Sequence, residues 1–241
     1  ISKKIVEAVN LKEFDKIVEI GPGKGALSKY LFDFSDKLIL IEYDTESVEF
    51  IKSSFKKHNP NIVKKDFLKY NLKDVLTQTS KNLIIGNFPY NISSQIIFKI
   101  LENYLLVGNL IGMFQKEVAE RIISKPNSKE YGIISVKTQL LYDVKILFDV
   151  SPYVFFPKPR VNSSVISLTR KENININFDI KLFDKLVKLS FQQRRKKIKN
   201  SLKKLDLKEN ILEDSIFGLR PEQLSVNDFI KLTQKISNET I

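Results

Sequence analysis

The segment Glu19-Ile20-Gly21-Pro22-Gly23-Lys24-Gly25 follows a short apolar run at residues 16–20, and a helical pattern begins soon after it. A strand, a glycine-rich turn and a helix in this order are typical of the first unit of an open α/β sheet, which binds ligands at the carboxyl ends of its strands. Gly21, Gly23 and Gly25 let the backbone approach a ligand closely. This glycine turn (residues 21–25) predicts a nucleotide-like cofactor, although such glycines are often only turn residues.

Short apolar runs alternate with amphipathic stretches along the first part of the chain, which is the rhythm of βαβ units. The predicted strands are 16–20, 37–41, 61–65, 83–85, 110–114, 144–148 and 164–168, and the predicted helices are 27–34, 47–57, 93–104 and 116–123. The last two strands flank a loop broken by proline, so we expect them to pair as an antiparallel edge. The fold class is therefore α/β, a doubly wound, seven-stranded and mostly parallel sheet of the Rossmann-like kind that class I methyltransferases use.

The pattern changes after Arg170. Residues 171–177 are polar and rich in asparagine, which is typical of a linker, and helical periodicity begins at Phe178. We predict two domains, 1–170 and 171–241, of which the second is small and all-helical.

The composition narrows the classes of protein to which the chain can belong. Its 241 residues, 42% of them hydrophobic, can bury a full core, and no apolar run approaches the roughly 20 residues that span a bilayer. Cysteine is absent, which excludes disulfides and thiolate metal sites; we expect no metal, a cytoplasmic location and a monomer. The net charge of +12 predicts a polyanionic partner, or a basic surface that serves solubility.

Two acidic residues follow predicted strands and support a cofactor site. Glu42 ends the second strand about twenty residues after the glycine turn, where a carboxylate can accept from ribose hydroxyls. Asp66, followed by Phe67, ends the third strand and can accept from an adenine amino group while the ring packs on the base. Either acid alone is equally typical of an ordinary helix N-cap or turn. We assign Tyr43, next to Glu42, to the same site.

The segment Asn87-Phe88-Pro89-Tyr90 follows the fourth apolar run. Within this asparagine turn (residues 87–90), the Asn87 side chain and the Phe88 carbonyl can each accept one N–H of an exocyclic amine. Pro89 stiffens the turn, and Tyr90 can stack on a base removed from its helix. Together with the glycine turn, it indicates methyl transfer from S-adenosylmethionine to the amino group of adenine. In isolation the segment is also compatible with a plain turn containing proline.

Two further segments indicate contact with nucleic acid. In the loop at residues 155–164, Phe155 can cover a flipped base, and Lys158 and Arg160 can meet phosphates, although two adjacent phenylalanines are more often core. The run Arg194-Arg195-Lys196-Lys197 is expected on a helix, where it either contacts the RNA backbone or forms a solvated face.

These motifs occur together and in order in one family. The chain resembles the ribosomal small-subunit RNA adenine dimethyltransferases of the KsgA type over nearly its whole length. The matching segments are 18–23, 41–42, 66, 87–93, 115–118, 126–132, 155–163, 191–196, 200–202 and 220–222.

The resemblance implies dimethylation of two adjacent adenosines near the 3′ end of the small-subunit ribosomal RNA, coupled to maturation of that subunit. It implies that the cofactor site is lined by Gly21, Glu42, Asp66 and Asn87. It also implies that Asn87, Phe88 and Tyr90 hold the adenine and that Phe155 stacks on its other side.

Two features depart from the family's pattern. Phe88 stands where leucine is usual, which matters little if its carbonyl makes the contact. A Gly-Gln-Asn-Phe-Leu segment usual ahead of the first helix would precede Ile1, so either the sequence is trimmed there or the cofactor is bound less tightly.

Three alternatives stay open. One is the erythromycin-resistance type of enzyme, which dimethylates large-subunit RNA. Another is a ribosome-assembly or nucleic-acid-binding factor that needs no methylation. The third and weakest is a DNA adenine methyltransferase.

Overall fold

The computed structural model describes residues 1–155, 158–172, 174, 176–205 and 207–239. The chain divides into two compact units. Unit 1 comprises residues 1–119 and 142–170, and unit 2 comprises residues 120–141 and 171–241. One boundary between the units lies after Arg170, and residues 120–141, which the sequence analysis assigned to the first domain, belong to unit 2.

Unit 1 is built on one sheet. Its strands are β1 (Lys16–Ile20), β2 (Leu38–Glu42), β3 (Ile62–Lys64), β4 (Asn82–Asn87), β5 (Asn109–Gln115), β6 (Tyr142–Val150) and β7 (Ser163–Arg170). Their order is β3-β2-β1-β4-β5-β7-β6. Strands β1 to β5 are parallel, and β7 is antiparallel to both neighbours. The predicted fold class and the antiparallel edge are confirmed.

The bounds of the α-helices can be compared with the helices that the sequence pattern predicts. The α-helices are α1 (Ser2–Glu7), α2 (Thr45–Ser54), α3 (Ser93–Glu102), α4 (Lys116–Ile123), α5 (Ile133–Leu141), α6 (Ile180–Gln192), α7 (Ile198–Ser201), α8 (Glu209–Leu212) and α9 (Val226–Glu239). Helix α4 has the predicted bounds. Helix α5 was not predicted, because a short apolar run with β-branched residues does not distinguish helix from strand.

The predicted helix at 27–34 is wrong. The segment instead forms two 3₁₀ turns, Ser28–Tyr30 and Phe32–Phe34. Phenylalanine, aspartate and serine are weak helix formers, and the Phe32 ring packs on Phe55 with 4.8 Å between centroids. This tertiary contact takes precedence over a weak local preference.

Unit 2 has its own apolar core. Phe183, Leu186 and Val187 of α6 are buried, as are Phe229 and Leu232 of α9. The Phe183 and Phe229 rings meet edge to face, with their centroids 6.4 Å apart. The prediction of a helical C-terminal part is thus confirmed.

Candidate active site

The glycine turn after β1 depends on a backbone conformation that other residues rarely adopt. Gly21, Gly23 and Gly25 have φ values of 64°, 56° and 74°, a region in which a side chain costs about 1–2 kcal/mol. A Cβ atom added to Gly23 would meet no atom within 4 Å, whereas one added to Gly25 would lie 2.5 Å from the Phe55 ring. The turn is therefore open at Gly23, where a cofactor can approach, while Gly25 is required for packing.

Glu42, the last residue of β2, joins the glycine turn to the neighbouring strand. One carboxylate oxygen accepts a hydrogen bond from the Gly23 N–H at 3.0 Å, and the other accepts from the N–H groups of Tyr43 and Asp44 at 2.7 and 2.9 Å. A carboxylate offers about four acceptor directions, so Glu42 retains capacity for a ribose hydroxyl. The residues at this edge thus fit a nucleoside cofactor.

A second carboxyl, Glu19, is buried in β1. Burial raises its pKa from 4.5 to about 8, the Ser28 hydroxyl opposes this rise, and the negative charge of Glu42 adds to it. Glu19 is therefore mostly protonated at neutral pH, which avoids a second buried negative charge beside Glu42.

This protonation makes the stability of the fold depend on pH. We expect the free energy of unfolding to fall as pH rises from 4.5 to about 8, because the folded state then holds a proton that the unfolded chain has lost. The slope is at most about 1.4 kcal/mol per pH unit. Glu19→Gln, which is neutral at every pH, should remove this contribution. Urea unfolding of both proteins between about pH 5 and pH 9 measures it, and parallel profiles would contradict the raised pKa.

The two residues assigned to the cofactor site on the turn after β3, Asp66 and Phe67, differ in how accessible they are to a ligand. The Asp66 carboxylate accepts a hydrogen bond from the Leu68 N–H at 2.9 Å and is half-buried. Phe67 is buried, with the Lys99 ammonium 5.6 Å from its ring centroid. The Phe67 ring therefore fixes the turn from inside. Tyr43, which is 75% exposed at the end of the neighbouring strand, offers a more accessible aromatic surface to a ligand.

The asparagine turn begins at Asn87, the exposed last residue of β4. The next side chain, Phe88, is buried over a pair of facing glycines, Gly86 of β4 and Gly112 of β5. A Cβ atom added to either glycine would lie 2.7 or 2.1 Å from the Phe88 ring, and Phe114 packs against the same ring with centroids 5.0 Å apart. The ring anchors the turn, so only the backbone of Phe88 is left to meet a substrate.

The asparagine turn also lies against the glycine turn. The Cδ atom of Pro89 is 3.9 Å from the position that a Cβ atom on Gly21 would occupy. The hydroxyl groups of Tyr90 and Ser163 lie 2.6 Å apart, although 73 positions separate them in the sequence. Ser163 is buried at the start of β7 and holds the Tyr90 ring in place. Sequence analysis assigned it no role, because no local pattern marks it.

The loop between β6 and β7 completes the predicted site residues of unit 1. Phe155 is half-buried and packs against the core, whereas Lys158 and Arg160 are exposed. Phe156 and Pro157 lie outside the described residues. Because Val150 pairs with Ser163 across β6 and β7, the loop starts and ends beside the residue that holds Tyr90.

Comparison with known proteins identifies the family of the chain. Residues 1–240 match the ribosomal RNA adenine dimethylase family. The chain belongs to this family. A ribosomal RNA small subunit methyltransferase A from Flavobacterium johnsoniae is 51% identical over 241 residues, covering 100% of this chain and 92% of the relative. The resemblance noted in the sequence is confirmed.

Two solved structures show how closely the dimethylase fold is shared. A dimethyladenosine transferase from Plasmodium falciparum superposes with a TM-score of 0.85 at 25% identity, covering 100% of this chain and 96% of that one. The 23S rRNA methyltransferase ErmE superposes with a TM-score of 0.68 at 22% identity, covering 98% and 96%. At the latter identity the likeness concerns the fold alone.

Two features are absent from the described residues of this dimethylase. No three acidic or histidine side chains come together there as a candidate metal site. In the same part of the chain no helix combines the length and the apolar character that crossing a membrane requires.

The basic run at 194–197 lies in unit 2, and its predicted placement on a helix is wrong. Helix α6 ends at Gln192, and the run forms the turn before α7. The Ile198 N–H donates to the Leu219 carbonyl at 2.8 Å, and not to the carbonyl four residues earlier that a continued helix would use. Arg194 donates to Glu222 and to the Ser128 carbonyl, each at 3.0 Å. Arg194 therefore ties together parts of unit 2, whereas the other three side chains of the run are exposed.

Because Arg194 is engaged within unit 2 and the other three side chains of the run are exposed, we expect substitutions of the two groups to have different effects, one on stability and the other on RNA binding. Replacing Arg195, Lys196 and Lys197 by glutamine should weaken RNA binding and reduce its log–log salt slope by about 0.7–0.9 for each phosphate that the variant no longer neutralises. Arg194→Gln, the matched control, should lower the stability of the protein and leave the salt slope unchanged. Filter binding across a salt series measures the slopes. An unchanged slope in the triple variant would mean that the run serves solubility and that RNA is held elsewhere.

Proposed function

We propose that this chain transfers methyl groups from S-adenosylmethionine to the N6 amino group of adenines in small-subunit ribosomal RNA. The observation that carries the proposal is the contact between the glycine turn and the asparagine turn, where Pro89 lies against Gly21. The chain order of the sheet reverses between β1 and β4, and open α/β sheets bind their ligands at such a point. A cofactor on the first turn and a base on the second would therefore be neighbours.

The groups on the asparagine turn suit an amine that is a poor nucleophile. S-adenosylmethionine, when bound, supplies a methyl group on a positively charged sulfur. The Asn87 side-chain oxygen accepts one N–H of the adenine amino group, and the Phe88 carbonyl accepts the other. These bonds favour a nitrogen whose lone pair is less delocalised into the ring and points at the methyl group.

The proton balance needs no strong base. Methyl transfer from the bound cofactor, in which the N–C bond would form as the S–C bond breaks, would leave a cationic nitrogen on the adenine. That nitrogen is acidic and releases its proton to water. This agrees with a turn that offers hydrogen-bond acceptors and an aromatic ring but no histidine, carboxylate or amine side chain.

Tyr90 holds the base by stacking, which contributes about 1–3 kcal/mol. Its hydroxyl contact with Ser163 orients the ring in advance, so less rotamer freedom is lost when the base binds. Phe155, already packed against the core, is proposed as the second aromatic partner. Gly21, Glu42 and Asp66 are proposed to line the cofactor site.

The proposal extends to the target adenosines, the location and the oligomeric state of the enzyme. We propose that the enzyme dimethylates two adjacent adenosines near the 3′ end of the RNA during small-subunit maturation, in the cytoplasm and as a monomer. The relative from Flavobacterium johnsoniae is itself named for the small subunit, which favours this substrate over large-subunit RNA. An intact asparagine turn argues against a factor that only binds.

One experiment separates the alternatives. Tritiated methyl transfer from labelled cofactor is measured with immature small subunits, large-subunit RNA and duplex DNA, and mature small subunits serve as the control for sites already filled. We expect label only in immature small subunits, recovered as N6,N6-dimethyladenosine after nucleoside analysis. Label in large-subunit RNA would support the erythromycin-resistance type instead, and binding without transfer would support an assembly factor.

A further inference from the structure

Tyr153 is an exposed aromatic on a constrained turn. Its side chain is 80% exposed, and it is the middle residue of the 3₁₀ turn Pro152–Val154. The Ser151 hydroxyl accepts the Tyr153 N–H at 3.4 Å, and Pro152 restricts the backbone ahead of it. A single exposed tyrosine requires no ligand, so a role for this one depends on what surrounds it.

A cation accompanies the ring. The Lys158 ammonium lies 3.6 Å from the Tyr153 ring centroid, a distance at which an ammonium is attracted by the face of the ring. Lys158 covers one face and leaves the other to solvent, as the high exposure of Tyr153 requires. An open aromatic face with a positive charge beside it is the combination by which proteins bind single-stranded nucleic acid, through stacking and phosphate contact.

The position of Tyr153 connects it to the site of methyl transfer. The pairing of Val150 with Ser163 closes the base of its loop, and the Ser163 hydroxyl contacts Tyr90. Phe155, two positions further on, packs against the core of unit 1. The same loop therefore carries an aromatic proposed for the target adenine and, outside it, an aromatic that faces solvent.

We propose that the open face of Tyr153 stacks on an unpaired RNA base adjacent to the methylated adenine, while Lys158 meets the phosphate between the two nucleotides. Removing an adenine from its stack deprives its neighbour of a stacking partner, and Tyr153 supplies a replacement. The loop thereby selects RNA in which this neighbour is single-stranded. The inference rests on the proposed function for its substrate, RNA.

The test uses a second exposed tyrosine with a lysine ammonium near its ring as its control. Tyr30 is also exposed and has the Lys29 ammonium 4.9 Å from its ring centroid, but it lies on a different turn of unit 1. Tyr153→Ala, Tyr153→Trp and Tyr30→Ala are compared with wild type. Filter binding measures the dissociation constant of an RNA fragment from the 3′ region of small-subunit RNA, and label transfer is recorded separately.

We expect Tyr153→Ala to raise the dissociation constant by about 5- to 150-fold, the range for losing one stacked base. Tyr153→Trp should restore binding, and Tyr30→Ala should match wild type. An abasic site scanned along the fragment should weaken wild-type binding at the contacted nucleotide by a similar factor and should not weaken Tyr153→Ala further there.

Equal binding by Tyr153→Ala and Tyr30→Ala would overturn the inference, and so would additive effects of Tyr153→Ala and the abasic site at every position. Failure of wild type to bind the fragment would overturn it as well. Wild-type binding with the expected coupling but without label transfer would instead contradict the proposed function.

Discussion

Asn87→Ala is expected to lower the turnover number for methyl transfer by about 100- to 1000-fold, which is the usual loss when one group that stabilises developing charge is removed from an active site. The alanine cannot accept the adenine N–H, and the nitrogen lone pair stays delocalised in the ring. Because Asn87 is exposed at the end of β4, the stability of the fold should change by no more than about 0.5 kcal/mol. Label transfer at saturating cofactor and RNA measures the effect.

Asn87→Asp is the matched control. Aspartate keeps an acceptor oxygen at nearly the same place, so this variant should retain more activity than alanine, while its added charge keeps it below wild type. Thermal unfolding confirms that each variant is folded. Near-normal turnover by folded Asn87→Ala would remove Asn87 from the chemistry, and equal losses in both variants would indicate that the acceptor is not what matters.

Gly112→Ala is expected to cause the second-largest loss, although this residue lies beneath the site. The added Cβ atom would be 2.1 Å from the Phe88 ring, which forces the ring to move, and such overpacking costs about 1–3 kcal/mol of stability. The ring anchors the asparagine turn, so Asn87 moves with it. A displacement of about 1 Å can lower turnover by as much as 100-fold.

The double variant Gly112→Ala, Phe88→Leu separates this mechanism from general damage. The smaller leucine should relieve the contact and restore both stability and turnover. Gly86→Ala is the control, because its Cβ atom would also lie 2.9 Å from the backbone oxygen of Ile20, which no change at Phe88 relieves. Chemical denaturation and label transfer are measured on all variants. Phe88→Leu is combined with each glycine variant. If it restored stability and turnover to both Gly112→Ala and Gly86→Ala, or to neither, this account of the Phe88 ring would be contradicted.

Predicting the fold from the sequence succeeded where burial imposes a pattern. Strands such as β1 and β5 are buried on both faces of the sheet, so they read as continuous apolar runs ending at polar turns. The 27–34 helix failed because its local preference is weak and the contact of Phe32 with Phe55 decides its conformation. Residues 120–141 belong to unit 2, although the residues on both sides of them belong to unit 1, because packing, which a local pattern does not record, groups them.

The sequence by itself determined the α/β sheet, the glycine and asparagine turns at its strand ends, and the family, because each depends on residues close together in the chain. Only the tertiary structure decided which of those residues are open to a ligand. Phe67 and Phe88 are buried supports, Arg194 is engaged by Glu222, and Tyr90 is held by Ser163. The physical reason is that exposure and hydrogen bonding depend on neighbours brought together by folding, such as Tyr90 and Ser163, which are 73 positions apart in the sequence.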